Sequence, residues 1–513
     1  MNIFLCKMSH LKRIAFSTIC FASYVGLIFR VHNLLAANQN QSTRDTVPLL
    51  DFEPMLVADQ TEAVDSYSEQ PQEDALQHVL HEDVTVDQDV FQDAKYTHRV
   101  FQNGRQGLSE SDHFTRYGGF DGSREIASDR NHPLQRTVDF VQVGDVYVYG
   151  AYLDLRQQGN FTVQILALKR NKDHDSLVCH VVDGAKHHVL YAQAYRMCEN
   201  HGKVYEGWIY SCVLPQTLQT LPHNISVVSL SQRQAHSKTF TTLNLKTIPS
   251  KTASTAGQIG VCVPPLFGDL NLSLLINFIQ MCKVLGAGKV FMYVDSVSSE
   301  IKKFLKYHSE NDASLSVIDW NLPENVSGSE DRIWYHGQLL AVQDCLYHNM
   351  DSFHFLLFMD LDEMLVPQDT HDWQEMLTKV FTTETKQSVA ALSFNSVFFD
   401  LTRVPEESEN ILYFQHLHRT RSISRMRNKL LVQPLKVFEL GIHHLSKALS
   451  EEFKSVDVSD QTALLHHYHT CVKINEPPVK CYPTKRDRTI LKYKDRLKHL
   501  SHRVITDASK LFA

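Results

Sequence analysis

The sequence predicts an α/β protein: a mostly parallel central sheet, preceded by an antiparallel β-sandwich-like domain. Three observations carry this expectation. Between Val138 and Leu230, short β-branched or aromatic runs are separated by Gly, Asn and Asp clusters. Between Ile259 and Phe358, strand-like and helix-like runs alternate. The last of these runs, Phe355-Leu-Leu-Phe-Met359, then breaks into an acidic turn, Asp360-Leu-Asp-Glu363.

In chain order, residues 1–13 read as a cytosolic tail and 14–30 as a signal-anchor transmembrane helix. Ile14 to Phe29 is uncharged, with Lys7, Lys12 and Arg13 before it and Arg30 after it. A helix of that length reaches about 24 Å, and the flanking arginines can snorkel to cover the rest of a thin membrane. Leu34 and Leu35 stand where signal cleavage wants a small residue, so an uncleaved anchor is favoured. The upstream positive charges place everything after the anchor in the lumen. Residues 31–133 read as an acidic disordered stem. Asp45 to Asp93 holds fourteen acids and no Lys or Arg, too little apolar surface to offset the entropy of ordering. Sequons at Asn40, Asn160, Asn224, Asn271 and Asn325 fit luminal N-glycosylation. Eight cysteines after the anchor fit disulfides, and the absence of C-x-x-C argues against structural zinc.

Residues 134–250 form the β-rich domain, where Cys179 and Cys212 suit an internal staple and Cys198 is left to pair elsewhere. A polar linker follows, Pro249 to Gly257. Ile259–Pro264 opens the second domain, 257–475, as a strand, and Asp269 is a candidate cap for a helix with Leu274, Leu275, Phe278, Ile279 and Cys282 inward. Val290–Val294 is the next strand, ending at Asp295. Ile301, Phe304 and Leu305 mark a helix, Leu315–Trp320 a strand, and Gly337–His348 a helix with Leu339, Val342 and Leu346 inward. This order demands right-handed crossovers in a parallel sheet. Residues 484–513 read as an amphipathic helix, with Ile490, Tyr493, Leu497, Leu500 and Val504 on one side.

Open α/β sheets bind ligands at the carboxyl ends of their strands. Asp360 and Asp362 fall there, and carboxylate oxygens hold hard divalent cations that keep positions open for phosphates. The stretch from His416 to Lys429 supplies Arg419, Arg421, Arg425, Arg427 and Lys429 without one acid. In a luminal protein this suits anionic phosphate or glycan and not nucleic acid. His443, His444, His466, His467 and His469 are all candidates to complete the metal site.

These motifs resemble glycosyltransferase family 92, Golgi type II membrane enzymes with the nucleotide-sugar GT-A fold. The likeness is densest in Val261-Cys-Val-Pro-Pro-Leu-Phe-Gly268, Trp334-Tyr-His-Gly-Gln338, Asp344-Cys-Leu346 and Phe358-Met-Asp-Leu-Asp-Glu-Met364. It continues in Lys429-Leu-Leu-Val-Gln-Pro434, Gly441-Ile-His443 and His467-Tyr468. The resemblance implies an inverting galactosyltransferase that uses UDP-galactose and Mn²⁺, or another divalent cation, with a glycan or glycoprotein acceptor and a β-1,4 linkage. It implies a GT-A-like domain anchored in the Golgi membrane, with Asp360 and Asp362 on metal and donor and His443 as third ligand. Asp295, Gln338 and Lys429 are the further donor contacts. The family's His-Tyr-Arg is here His467-Tyr468-His469, so a phosphate contact made by that Arg has no counterpart. Inversion needs a carboxylate base. Asp400, Glu406 and Glu407 follow the strand Val389–Phe399, and no spacing argument selects one of them. Two other readings compete: an aspartate-based phosphatase, which would release phosphate without UDP, and a glycan-binding or adhesion ectodomain, which would bind without Asp360 and Asp362.

Overall fold

The computed structural model describes residues 135–234, 240–251, 258–327, 331–381, 387–405, 410–469 and 483–512. The anchor, the stem, Asn40, Glu406, Glu407, Cys471 and Cys481 lie outside these. No helix among the described residues is long and apolar enough to cross a membrane.

The strand Ile259–Gly268 is central to a twelve-stranded sheet. Lys289–Val297 and Phe355–Phe358 flank it, both parallel to it. Leu315–Asn321 runs parallel beyond Lys289–Val297, and Gln135–Asp139 closes that edge, also parallel. This half follows the predicted alternation, because its helices, Leu272–Val284, Ser299–Asn311 and Gln338–His348, make the crossovers that parallel pairing requires.

The sheet as a whole is mixed, which corrects the expectation of a mostly parallel one. Past Phe358 the chain turns within four residues into Glu363–Pro367, with no crossover helix. Ser424–Val432 therefore pairs antiparallel to Phe355–Phe358, and Val389–Asp400 antiparallel to Ser424–Val432. Ala463–His469 lies between Val389–Asp400, parallel, and Glu363–Pro367, antiparallel.

Local chemistry sets the helix starts. Asn271, not Asp269, caps Leu272–Val284 by accepting from the N–H of Leu274 at 3.0 Å, and Ser298 caps the next helix in the same way. The C-terminal helix spans Lys494–Phe512, with Leu497 buried and Leu500 and Val504 packed on the core. Thr484–Arg486, expected within that helix, instead adds an edge strand to the large sheet. Asp487 then stops the strand, because its carboxylate binds Arg419 Nε at 2.6 Å and the N–H of Thr489.

The β-rich region holds a four-stranded antiparallel sheet and a six-stranded, almost wholly antiparallel one. Val163, Ile165 and Tyr210 of the larger sheet share one apolar cluster with Leu177, Ile225 and Val227 of the smaller. The Cys179–Cys212 disulfide joins the two sheets at that core, as the sequence suggested, and Cys198 is disulfide-bonded as well. A further bridge, Cys262–Cys345, ties the central strand to the helix Gln338–His348.

The two regions also share a core. Tyr147, Tyr149, Tyr152 and Ile209 pack with Phe291, Trp320, Leu340 and Tyr347. At its centre Asp344, with no exposed surface, accepts hydrogen bonds from Tyr152 and from Tyr293, the latter at 2.7 Å. Replacing Asp344 by Ala removes the acceptor of two buried phenols, each of which costs on the order of 1–3 kcal/mol when left unmade. Unfolding free energy, read from urea denaturation, should fall by about 3 kcal/mol.

Candidate functional site

The acidic turn is built by its neighbours. Met359 N–H continues the parallel ladder to the carbonyl of Cys262, and Glu363 N–H closes the turn onto the carbonyl of Asp360. The Glu363 carboxylate in turn accepts the N–H of Asp360 at 2.9 Å. Lys429 places its Nζ 2.6 Å from Asp360 Oδ2 and 3.2 Å from Glu363 Oε2. Its side chain is 3% exposed and that of Glu363 1%, so the ion pairs are screened little by solvent. Burial pushes the Glu363 carboxyl up to about 7 against the pull of Lys429. Burial would lower the Lys429 ammonium, but the two carboxylates override it and raise it.

Asp362 faces the other way. Its carbonyl accepts the N–H of Tyr468 at 2.9 Å, and its Oδ2 lies 3.2 Å from His467 Nε2. Burial alone would raise this carboxyl; the charge and hydrogen bond of His467 hold it at about 2. The same pairing raises His467 despite burial. Successive side chains of a strand point to opposite faces. His467 and His469 therefore reach Asp362 together, while His466 turns into the core against Phe399, ring centroids 4.6 Å apart. Asp362, His467 and His469 bring their ligand atoms within 4.8 Å of one another, the cluster among the described residues that could hold a metal ion. His444 pairs instead with Glu199.

The remaining sequence candidates fall as follows. His443 sets Nδ1 2.9 Å from the carbonyl of Asn428 and is lowered to about 4, first by burial and then by Lys429, so its ring is neutral; it is not in the Asp362 cluster. Lys429 pairs with the two carboxylates of the turn. Gln338 Nε2 reaches Asp360 Oδ1 at 3.4 Å. Asp295 lies at the end of Lys289–Val297, 2.6 Å from His336 Nδ1. Asp400 is 1% exposed, and its Oδ1 accepts from both the N–H and the hydroxyl of Thr402. Asn160, Asn224 and Asn325 are exposed, and Asn271 is the half-buried helix cap.

Beside the acids lies an open pocket, lined by Pro264, Pro265, Leu266, Phe267, Tyr335, Asp360 and Asp362 among others. Tyr335 and His336 adopt φ of 43° and 54°, and Gly337 follows at 75°. Two non-glycine residues in the left-handed region are strained. They are held by the His336 ring stacked 3.8 Å from Phe267 and by the carbonyl of His336 accepting from Trp320 Nε1. Sequence reading missed the part played by Glu363 and His336. A third acid opening the apolar strand Glu-Met-Leu-Val-Pro was the available signal for the first, and the motif Trp334-Tyr-His-Gly-Gln338 for the second.

Fold and site define an α/β protein whose strand ends bring together an Asp–His–His cluster that could hold a metal ion, a buried lysine and an aromatic-walled pocket. Residues 257–510 match the sequence model of Glycosyltransferase family 92, and the chain belongs to that family. A Caenorhabditis elegans protein named beta-1,4-galactosyltransferase galt-1 is 27% identical over 67% of this chain and 79% of its own length. Two glycosyltransferase family 92 proteins of the same organism are 23% and 21% identical, over 38% and 30% of this chain and 40% and 30% of theirs.

Two outcomes follow from this geometry. Lys429→Met leaves Asp360 and Glu363 without their counter-ion, and breaking a buried pair costs on the order of 3–5 kcal/mol. The ligand-free protein should lose about 3 kcal/mol in urea denaturation, whereas a lysine serving only a substrate phosphate would leave it unchanged. The Asp362 carboxyl sits below its ordinary value of roughly 3.9, so its contribution is complete above about pH 4 and fades as pH falls toward 2. The thermal midpoints of wild type and Asp362→Asn, measured from pH 6 downward, should therefore differ most above pH 4 and converge in acid.

Proposed function

We propose that this protein is a metal-dependent inverting galactosyltransferase, transferring galactose from UDP-galactose to a glycan or glycoprotein acceptor through a β-1,4 linkage. The observation that carries the reading is the adjacency of the Asp362–His467–His469 cluster to the pocket, with Asp360 and Asp362 in its wall. One carboxylate and two imidazoles form a donor set suited to a borderline divalent cation such as Mn²⁺. The named β-1,4-galactosyltransferase among the relatives supports the sugar and the linkage.

In this reading the domain is GT-A-like, and the β-rich region is its sandwich-like companion. Asp362, His467 and His469 hold the cation, which when bound supplies positive charge opposite the departing diphosphate. Lys429 and Glu363 fix Asp360 so that its outer oxygen and Gln338 face the donor. Phe267 and Tyr335 offer ring faces to the nucleoside, and the His336–Asp295 pair braces that wall. The base remains open among Asp400, Glu406 and Glu407. The enzyme sits in the Golgi membrane as a single-pass type II protein, with residues 14–30 as its anchor.

A donor screen on the purified protein with mixed glycan acceptors tests the reading. UDP-galactose should be consumed well above UDP-glucose and UDP-N-acetylglucosamine, and chelation should abolish turnover. Asp362→Asn should lower turnover about a hundredfold, a barrier increase of roughly 2.7 kcal/mol. His469→Ala should lose the rise in melting temperature that Mn²⁺ with UDP gives wild type. Phosphate release without UDP dependence, or glycan binding unaffected by Asp362→Asn with no transfer, would replace this reading with a phosphatase or a lectin.

A further inference from the structure

Two buried carboxylates cross in opposite directions between the β-rich region and the segment that carries His443. Glu199 follows the strand Gln193–Arg196 and is 5% exposed. Its Oε2 accepts the backbone N–H of Ile442, and its Oε1 lies 3.3 Å from His444 Nδ1. Glu439, with no exposed surface, points the other way. It accepts the N–H of Cys198 and the hydroxyl of Tyr195, both at 2.7 Å.

The crossing is possible because residue 441 is glycine: a Cβ there would fall 2.6 Å from the Glu199 carboxylate. Glu199 is itself delivered by a fixed turn. Its neighbour Cys198 is disulfide-bonded. Asn200 donates to the carbonyl of Met197 and accepts the N–H of Gly207 at 2.7 Å.

Taking a carboxylate out of water is unfavourable unless donors meet its oxygens. Here both are spent on joining one short segment, Glu439 to His444, to the turn around Cys198. That segment carries His443, whose Nδ1 is 2.9 Å from the carbonyl of Asn428. Asn428 adjoins Lys429, which holds Asp360 at 2.6 Å. The chain of contacts thus runs from the β-rich region to the acidic turn.

We infer that Glu199 is a positioning residue: the crossed clasp fixes the Gly441–His444 turn and so holds the His443 ring beside Lys429 and Asp360. The effect on turnover rests on the transferase reading; the effect on the turn does not.

The test uses the full chain with Glu199→Ala, Glu199→Gln, His443→Ala and the double variant Glu199→Ala/His443→Ala. In hydrogen exchange, Glu199→Ala should speed the amides of residues 439–444 at least tenfold and leave 463–469 unchanged. Glu199→Gln keeps an oxygen for the Ile442 N–H and should stay slow, which also serves if the alanine variant fails to fold. In donor kinetics, Glu199→Ala should cut kcat/KM at least tenfold, Glu199→Gln should restore most of it, and the double variant should match His443→Ala, since residues acting through one another are not additive. Unchanged exchange at Ile442 in Glu199→Ala, fast exchange there in Glu199→Gln, or losses that multiply in the double variant would overturn the inference. If wild type turns over no nucleotide sugar, the transferase reading falls and the exchange result alone decides the clasp.

Discussion

The site depends on one ammonium. Asp360, Asp362 and Glu363 crowd three carboxylates into four residues at the end of a buried strand, and like charges that close repel strongly where solvent is scarce. Lys429 answers two of them at 2.6 and 3.2 Å, and His467 answers the third at 3.2 Å. Lys429 comes from Ser424–Val432, and His467 from Ala463–His469. The acidic turn therefore exists only because the antiparallel half of the sheet folds against the parallel half. That half of the molecule supplies the counter-charges, while the parallel half supplies the turn and the pocket wall.

The β-rich region enters the same system of constraints. Its tyrosines share a core with the helix Gln338–His348, and its Glu199 reaches the turn beside His443. His201 stacks on Trp334 at 4.0 Å, next to the left-handed Tyr335 and His336 that shape the pocket. Strained backbone persists where surrounding contacts over-determine it, and here the His201 contact adds to those of Phe267 and Trp320. The glycosyltransferase family 92 domain in this chain is thus braced at Ile442 and at Trp334 by a segment outside it.

The sequence by itself determined the parallel half of the fold and the position of the acidic turn. Alternating strand and helix patterns with short connections leave little freedom in topology, and an apolar strand ending in Asp-Leu-Asp has one place to put its acids. Family membership was legible too, because ordered motifs survive as linear text. Tertiary structure alone decided which partner each charge takes. Lys429 read as a donor contact, and only the packed sheet shows that it also pairs with Asp360 and the buried Glu363. Among five candidate histidines, His467 and His469 reach Asp362. The segment Ala-Leu-Leu-His-His-Tyr-His is buried on both faces almost to its end, so its pattern could not say which face meets the acids. That was fixed by antiparallel register, Glu363 opposite His467, between segments a hundred residues apart. Register of that kind follows from packing the whole sheet, and no local stretch of sequence contains it.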